Sequence, residues 1–291
     1  MIPARVKKVA AVHDLSCIGR CSLTVILPIL SCMGIQVCPL PTAVLSTHPG
    51  GFTNVSFCDF TRHIQDFSSR WLQEGIAFDG LYSGFLASEE QIGIVSRFID
   101  DFSANHPLVL VDPVMGDDGK LYSICTDNMK DRIKALVQKA DVITPNYTEA
   151  CFLLAEAWQP LVTHGDSMNP WLVRLSEMGP TKVVITGVPL PGNKIANLGY
   201  DRHTRQFWKF TSDLIPVKYP GTGDIFSSVL LGELLRGSVL PDAIRRAGDF
   251  VTAAVRDTCA AGTPAREGIL LEKMLPLLCC NRNEYYGGNN K

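Results

Sequence analysis

Six short apolar runs, Lys8 to Val12, Ile35 to Leu45, Gly80 to Phe85, Leu108 to Val111, Asp141 to Thr144 and Lys182 to Thr186, most of them rich in β-branched residues, give way to polar, Gly or Pro residues. Such runs read as strands. Between them lie longer stretches of helical periodicity, Asn54 to Glu74, Glu89 to Phe102, Met129 to Lys139, Thr148 to Ala157 and Trp171 to Met178. Strand and helix in alternation predict an α/β fold, a mostly parallel central sheet covered by helices on both faces. Leu198 to Tyr200 and Gln206 to Thr211, separated by Asp201 to Arg205, predict an antiparallel hairpin at the sheet edge. The remainder is helical in pattern, through Gly223 to Arg236, Pro241 to Cys259 and Leu270 to Leu278. No repeat or linker divides the chain, so residues 1–280 are expected to form one domain. Asn281 to Lys291, polar with paired glycines and paired asparagines, is expected to be a disordered tail.

With 291 residues, 46% of them hydrophobic and 19% charged, the chain has the apolar surface that such a core needs. A formal net charge of -2 without a long basic run argues against an extended nucleic-acid groove or a polybasic membrane surface, so a small-molecule partner is expected. No apolar run reaches the roughly 18 residues of a membrane span. Met1 to Lys8 carries charge with no signal-peptide core behind it, which leads us to expect a cytoplasmic protein. The ten cysteines are scattered, most of them in apolar patterns as at Cys32, Cys38, Cys58 and Cys151. Cys17 with Cys21 and Cys279 with Cys280 lack the paired Cys-x-x-Cys spacing of a zinc site, so reduced, mostly buried thiols are expected.

In sheets of this kind ligands sit beyond the carboxyl ends of the strands. Gly221-Thr222-Gly223-Asp224 follows the turn-former Pro220 and runs straight into the apolar helical pattern of Ile225, Phe226, Val229, Leu230 and Leu231. The glycines let the backbone approach an anion closely, and the first N–H groups of a helix have no intrahelical partner. A phosphate is the natural guest. Asp224 repels an anion, and so is either a plain helix-start acid or the acceptor of a proton from a hydroxyl that attacks the phosphate.

Strand Leu108 to Val111 ends in Asp112-Pro113-Val114-Met115-Gly116-Asp117-Asp118-Gly119. Its carboxylates suit Mg²⁺ shared with substrate phosphates, or simply the geometry of a turn. In Thr144-Pro145-Asn146-Tyr147-Thr148-Glu149, Pro145 stops a strand and Glu149 enters a helix. Glu149 is then a helix-start acid or a partner of metal-bound water, with Asn146 facing phosphate. Thr186-Gly187, after the next strand, suits phosphate or ribose contact.

Taken together, Asp112-Pro113-Val114-Met115-Gly116-Asp117, Thr144-Pro145-Asn146 with Glu149, Val184-Ile185-Thr186 and Gly221-Thr222-Gly223-Asp224 resemble the ribokinase-like superfamily. Within it they resemble the pyridoxal (pyridoxine, pyridoxamine) kinases of vitamin B6 salvage, over residues 8 to 278. The resemblance implies a ribokinase-like three-layer sandwich and a homodimer. It implies ATP and Mg²⁺, often with a monovalent cation such as K⁺, and transfer of the γ-phosphoryl group to the 5'-hydroxymethyl of a B6 vitamer. By the same resemblance Asp224 is the catalytic base and Gly221, Thr222 and Gly223 form the anion hole. Asp112, Asp117 and Glu149 surround the metal, Asn146 and Thr186 contact the nucleotide phosphates, and Ser16 lies near the pyridine ring.

The vitamer side departs from the family. Where His-Thr-Gly is usual, this chain reads Thr47-His48-Pro49-Gly50-Gly51, and proline removes a hydroxyl and a backbone donor. Phe85 replaces a tyrosine, keeping the stacking face and losing the phenol. His48 either hydrogen-bonds a ring hydroxyl or orders its loop, with the first role expected, and His13 is equally placed at a strand's carboxyl end. Cys17 and Cys21 suggest a thiol that captures an aldehyde or, as expected here, small buried packing residues. Two other functions compete. A kinase of hydroxymethylpyrimidine and its phosphate shares the cradle and a hydroxymethyl acceptor, but its usual loop after Asp-Pro-Val carries Met with Ala and Lys rather than Gly116-Asp117-Asp118. A non-catalytic vitamer-binding protein is the reading of another class, and the presence of Asp224 argues against it.

Overall fold

Residues Val9 to Val12 of the first strand face opposite ways in turn, as the pleat requires, and all four are apolar: Ala10 and Val12 pack in one core, Val9 and Ala11 in another. A strand buried on both faces belongs in the middle of a sheet with two covering layers. In the computed structural model, which describes residues 5–162 and 165–279, that strand is β1 (Lys8–Ser16) of a nine-stranded sheet. In chain order the strands are β2 (Gln36–Leu45), β3 (Phe57–Asp59), β4 (Gly80–Ser83), β5 (Leu108–Val111), the small separate hairpin of β6 (Gly116–Asp117) and β7 (Lys120–Leu121), then β8 (Val142–Ile143), β9 (Lys182–Leu190), β10 (Lys194–Asp201) and β11 (Gln206–Asp213). The sheet order is β11-β10-β9-β8-β5-β4-β1-β2-β3. The strands from β9 to β2 are parallel, while β3, β10 and β11 join antiparallel. The expected sheet with its edge hairpin is therefore present.

The helices are α1 (Leu23–Cys32), α2 (Thr61–Gln73), α3 (Glu89–Asp101), α4 (Asp127–Val137), α5 (Tyr147–Leu154), α6 (Asn169–Glu177), α7 (Thr222–Arg236) and α8 (Leu240–Ala260). Residues of α2 to α6, among them Ile64, Phe98, Ile133, Ala150 and Leu172, share one core with Leu81, Val109, Val111 and Ile143. Residues of α1, α7 and α8 share the other with Tyr82, Leu110, Val142 and Val184. These two layers around the sheet are the three-layer sandwich. Among the described residues no helix is long and apolar enough to cross a membrane.

Several local expectations are corrected. Asn54 to Glu74 is not one helix: Phe57–Asp59 is an edge strand paired with Ala43 to Leu45, and Asp59 Oδ1 accepts the Thr61 N–H at 2.6 Å as α2 begins. Helix α1 gave no periodic signal because it is apolar nearly all round and holds Pro28. Its Leu23, Val25, Ile26, Ile29 and Leu30 are buried, and each such side chain gains about 1.5–3 kcal/mol from leaving water. Leu270 to Leu278 is a single α-turn, Leu271–Met274, followed by a 3₁₀ turn at Pro276. The cysteines are not mostly buried: among the described residues Cys21, Cys125 and Cys151 are buried, Cys32, Cys38 and Cys259 half-buried, and Cys17, Cys58 and Cys279 exposed. The tail Asn281 to Lys291 lies outside the described residues.

Candidate active site

Gly221 begins α7 with φ 83°, a left-handed conformation that favours glycine. A Cβ there would lie 2.3 Å from the Arg20 carbonyl oxygen and 2.9 Å from Cys21 Cα, so the turn admits no side chain. Gly223 is different, since the nearest atom to an added Cβ is Asp112 Oδ2 at 4.0 Å. No side chain caps α7, in contrast to α5, so the leading N–H groups of this 15-residue helix are left to a guest. Gly221, Thr222 and Gly223 thus have the form of the expected anion hole.

Asp224 stands in the first turn with its side chain 12% exposed. Its Oδ2 accepts the Ser22 N–H at 2.7 Å, and Oδ1 lies 3.0 Å from His13 Nε2. Ser22 precedes α1 at φ 54°, an uncommon conformation that turns its N–H, with the positive end of α1, onto the carboxylate. His13 Nδ1 in turn lies 2.8 Å from Asp14 Oδ1, and Ser16 donates to Asp14 Oδ2 at 3.0 Å. Burial works against a charge on His13, but the Asp224 charge and the Asp14 hydrogen bond outweigh it and push the imidazole up to about 10. Burial likewise opposes the charge on Asp14, whose carboxyl is nevertheless held below its ordinary range by His13 and by the Ser22 and Ser16 hydroxyls.

Asp112, just past β5, is 6% exposed and accepts the Ser227 hydroxyl at 3.0 Å. Burial, reinforced by the charge of Asp224, pushes it up to about 7. Glu149 is 3% exposed, and burial followed by the charge of Asp112 raises it well above the usual carboxylate range. Its oxygens accept Met115 N–H at 3.0 Å and Asn146 N–H at 2.8 Å, while Asn146 Oδ1 accepts Glu149 N–H at 2.9 Å. That reciprocal pair is a capping box, so the helix-start reading of Glu149 is realised. Asn146 Nδ2 also donates to the Gly116 carbonyl at 2.8 Å, and Asn146 bridges to Thr186 across the sheet end.

The remaining candidates fall around this centre. Asp117, on β6, has a half-exposed carboxylate 3.2 Å from Lys218 Nζ. Among the described residues no three acidic, Cys or His side chains gather within reach of one ion, so Asp112, Asp117 and Glu149 are not a direct ligand cluster. Ser16 is 0% exposed, with its hydroxyl on Asp14. His48 lies 2.7 Å from the Arg266 carbonyl through Nε2 and accepts Gly50 N–H at 3.0 Å through Nδ1. Both ring nitrogens are thereby engaged, and His48 ties its own loop to the Arg266 backbone. Phe85 is half-buried just beyond β4, its carbonyl accepting the Thr42 hydroxyl at 3.1 Å. Cys21 is buried, and burial with the charges of Asp224 and Asp14 pushes its thiol up to about 12, which removes it as a nucleophile.

Sequence reasoning missed Asp14, Ser22 and Ser227. Asp14 carried the same signal as Asp112, an acid at the carboxyl end of a strand, and Ser227 the helical spacing of three from Asp224. Ser22 carried none, because what orients Asp224 is its backbone N–H.

The cradle, the carboxylate beside it and the acids at the ends of β1 and β5 are one constellation, and the chain's relatives share its frame. The phosphomethylpyrimidine kinase family profile matches residues 32–267. The chain belongs to that family. A Bacteroides thetaiotaomicron protein named after the phosphomethylpyrimidine kinases is 45% identical, with a TM-score of 0.91 over 96% of each chain. Its orthorhombic crystal form holds pyridoxal. A pyridoxal kinase from Lactobacillus plantarum is 30% identical with a TM-score of 0.86, over 94% of this chain and 97% of that one. The hydroxymethylpyrimidine/phosphomethylpyrimidine kinase of Aquifex aeolicus is 27% identical over 65% of this chain and 71% of its own. The ribokinase-like fold and the pyridoxal kinase resemblance are thus borne out, and the chain is a phosphotransferase with a hydroxyl acceptor.

Proposed function

We propose that this enzyme transfers the γ-phosphoryl group of ATP to the 5'-hydroxymethyl group of a vitamin B6 vitamer. The observation that carries the reading is the Asp224 carboxylate beside the uncapped N-terminus of α7, with both oxygens oriented by donors and part of its surface open. A γ-phosphate at those N–H groups has the carboxylate at its flank, where an in-line hydroxyl arrives. The proton passes from the hydroxyl to Asp224 as the new O–P bond forms, and the electron pair of the broken bond leaves with ADP. Pyridoxal in the crystal of a relative 45% identical supports the vitamer as acceptor.

The Mg²⁺ that accompanies ATP neutralises phosphate charge when bound. The donor set fits it: Asp112 and Glu149 are two buried carboxylates, each raised by burial, with Asp112 further raising Glu149. Asp112 and Glu149 would hold a divalent cation that would relieve that tension, Glu149 through water because both of its oxygens already accept N–H groups. A homodimer with K⁺ as a second cation, supported by the resemblance alone, and a cytoplasmic location, supported by the charged N-terminal stretch, complete the reading.

Hydroxymethylpyrimidine is the second acceptor to weigh, because the Aquifex aeolicus relative carries that name and the family profile carries that of its phosphate. The test is product formation from ATP and Mg²⁺ with pyridoxal, pyridoxamine, pyridoxine and hydroxymethylpyrimidine, using wild type and Asp224→Asn. Phosphorylated B6 vitamers, lost by a factor of roughly 10² to 10⁴ in the variant, are expected. Turnover of hydroxymethylpyrimidine alone would reassign the substrate, and a fully active Asp224→Asn would remove the base.

A further inference from the structure

His13 is an imidazole held end to end between two carboxylates, Nε2 at 3.0 Å from Asp224 Oδ1 and Nδ1 at 2.8 Å from Asp14 Oδ1. The ring is 3% exposed and is packed edge-on against Tyr82. A Cβ at Gly84 would lie 2.0 Å from His13 Cδ2, so this glycine is what admits the ring beside β4. Asp14 is itself anchored by the Ser16 hydroxyl. The Asp14 N–H also points at Nδ1, at 2.9 Å, but a ring that accepted it would turn a lone pair onto Asp14 Oδ1. A carboxylate oxygen against each nitrogen favours the ring with both protons, a buried cation. Tyr82 from β4, Asp112 from β5, Asp224 from α7 and its own neighbour Asp14 surround it, so every facing charge is negative.

We propose that His13 is the positioning residue of this active site: clasped between Asp14 and Asp224, it fixes the Asp224 carboxylate beside the anion cradle and offsets the negative charge gathered there. This rests on Asp224 being the base. Two donors on two different oxygens, His13 Nε2–H and Ser22 N–H, fix both side-chain torsions of Asp224 and leave the outward lone pairs to the acceptor hydroxyl. Asp14, Asp112 and Asp224 would otherwise present three carboxylates to an incoming triphosphate, and His13 is the cation among them. The ring keeps both protons throughout transfer, since the proton released by the hydroxyl stays on Asp224.

The test compares wild type, His13→Gln, Asp14→Asn, Asp224→Asn and the double variant His13→Gln/Asp224→Asn in kcat, KM for each substrate, ATP binding and thermal melting. His13→Gln is expected to lower kcat on the order of 10²-fold while ATP binding and folding persist, because a displaced base costs about that much. Asp14→Asn, which leaves Asp224 untouched, lowers kcat in the same direction. The double variant turns over no more slowly than Asp224→Asn, because the effect of His13 runs through Asp224. ¹⁵N spectra of the histidine ring at pH 8 show both His13 nitrogens protonated. Near-normal kcat in His13→Gln beside an inactive Asp224→Asn overturns this proposal alone, as do multiplying losses in the double variant or a neutral ring at pH 8. A fully active Asp224→Asn overturns the base assignment and this proposal with it. If His13→Gln does not fold, Asp14→Asn and the ¹⁵N spectra decide.

Discussion

Ser227 Oγ lies 3.0 Å from Asp112 Oδ2 and 2.8 Å from Thr144 Oγ1, so one hydroxyl on α7 ties the ends of β5 and β8 to the helix that carries the cradle. Ser227 follows Asp224 by three positions, which puts both on one face of α7. The hydrogen bond favours the ionised form of Asp112 against burial and the Asp224 charge, which together push it up to about 7.

Because Asp112 titrates near neutrality, nucleotide use should have an acid limb. kcat/KM for ATP at low Mg²⁺ is expected to rise between pH 6 and 8 as Asp112 ionises around pH 7. Ser227→Ala moves that limb to higher pH, and added Mg²⁺ moves it back by binding the ionised form. Asp112→Asn removes the limb and raises the Mg²⁺ requirement. A profile that Ser227→Ala leaves in place separates Asp112 from nucleotide use.

What was legible in the sequence was local or periodic. The cradle is four consecutive residues running into a helix, and the parallel sheet follows from β-branched runs alternating with amphipathic helices. Helix α1 was illegible because a helix packed between the sheet and α7 is apolar on all sides and shows no period. The clasp around Asp224 was illegible for another reason: His13 and Asp224 are 211 positions apart, and strand ends alone do not say which side chains meet. The same applies to His48, whose partner Arg266 is 218 positions away. Glu149 carries a helix-start signal and a metal-site signal at once, and only the Met115 and Asn146 N–H contacts show that it braces the loop after β5.

That brace yields a prediction in stability rather than activity. Glu149→Gln sets an amide NH₂ against the N–H of Met115 or Asn146, two donors facing each other in a buried site. The expected loss is about 1–3 kcal/mol of folding stability. Chemical denaturation at neutral pH measures it. Unchanged stability with a large rise in Mg²⁺ requirement would restore Glu149 to a purely metal-related role.

The pH dependence of stability isolates His13. Its folded pKa is raised from 6.5 to about 10, so the stability it contributes is full below pH 6.5, declines above that and is gone once pH passes about 10. Asp112, a raised acid, contributes its change between its ordinary 3.8 and about 7. Buried Cys21, raised from 9.0 to about 12, begins only above pH 9. The window from pH 7 to 9 therefore belongs to His13 among these three groups. Melting temperatures should fall across it more steeply in wild type than in His13→Gln, and equal slopes would mean that the ring is not charged in the fold.

The two glycines of the cradle make opposite predictions. Gly221→Ala forces a side chain onto φ 83° and drives its Cβ to 2.3 Å from the Arg20 carbonyl oxygen, a backbone atom that cannot step aside. The left-handed conformation alone costs roughly 1–2 kcal/mol for a residue with a Cβ, and the clash adds to it, so this variant should lose stability and turnover together. Gly223→Ala has room, since its nearest neighbour is Asp112 Oδ2 at 4.0 Å, and alanine is the better helix former by about 1 kcal/mol. It should melt at or above the wild-type temperature. If the γ-phosphate docks on the N–H groups of Thr222, Gly223 and Asp224, however, the added methyl stands beside Asp112 where the phosphate must approach, and kcat/KM for ATP should drop by at least an order of magnitude. Melting and steady-state kinetics on the two variants decide it. A stable Gly223→Ala with wild-type ATP kinetics would move the phosphate away from the start of α7.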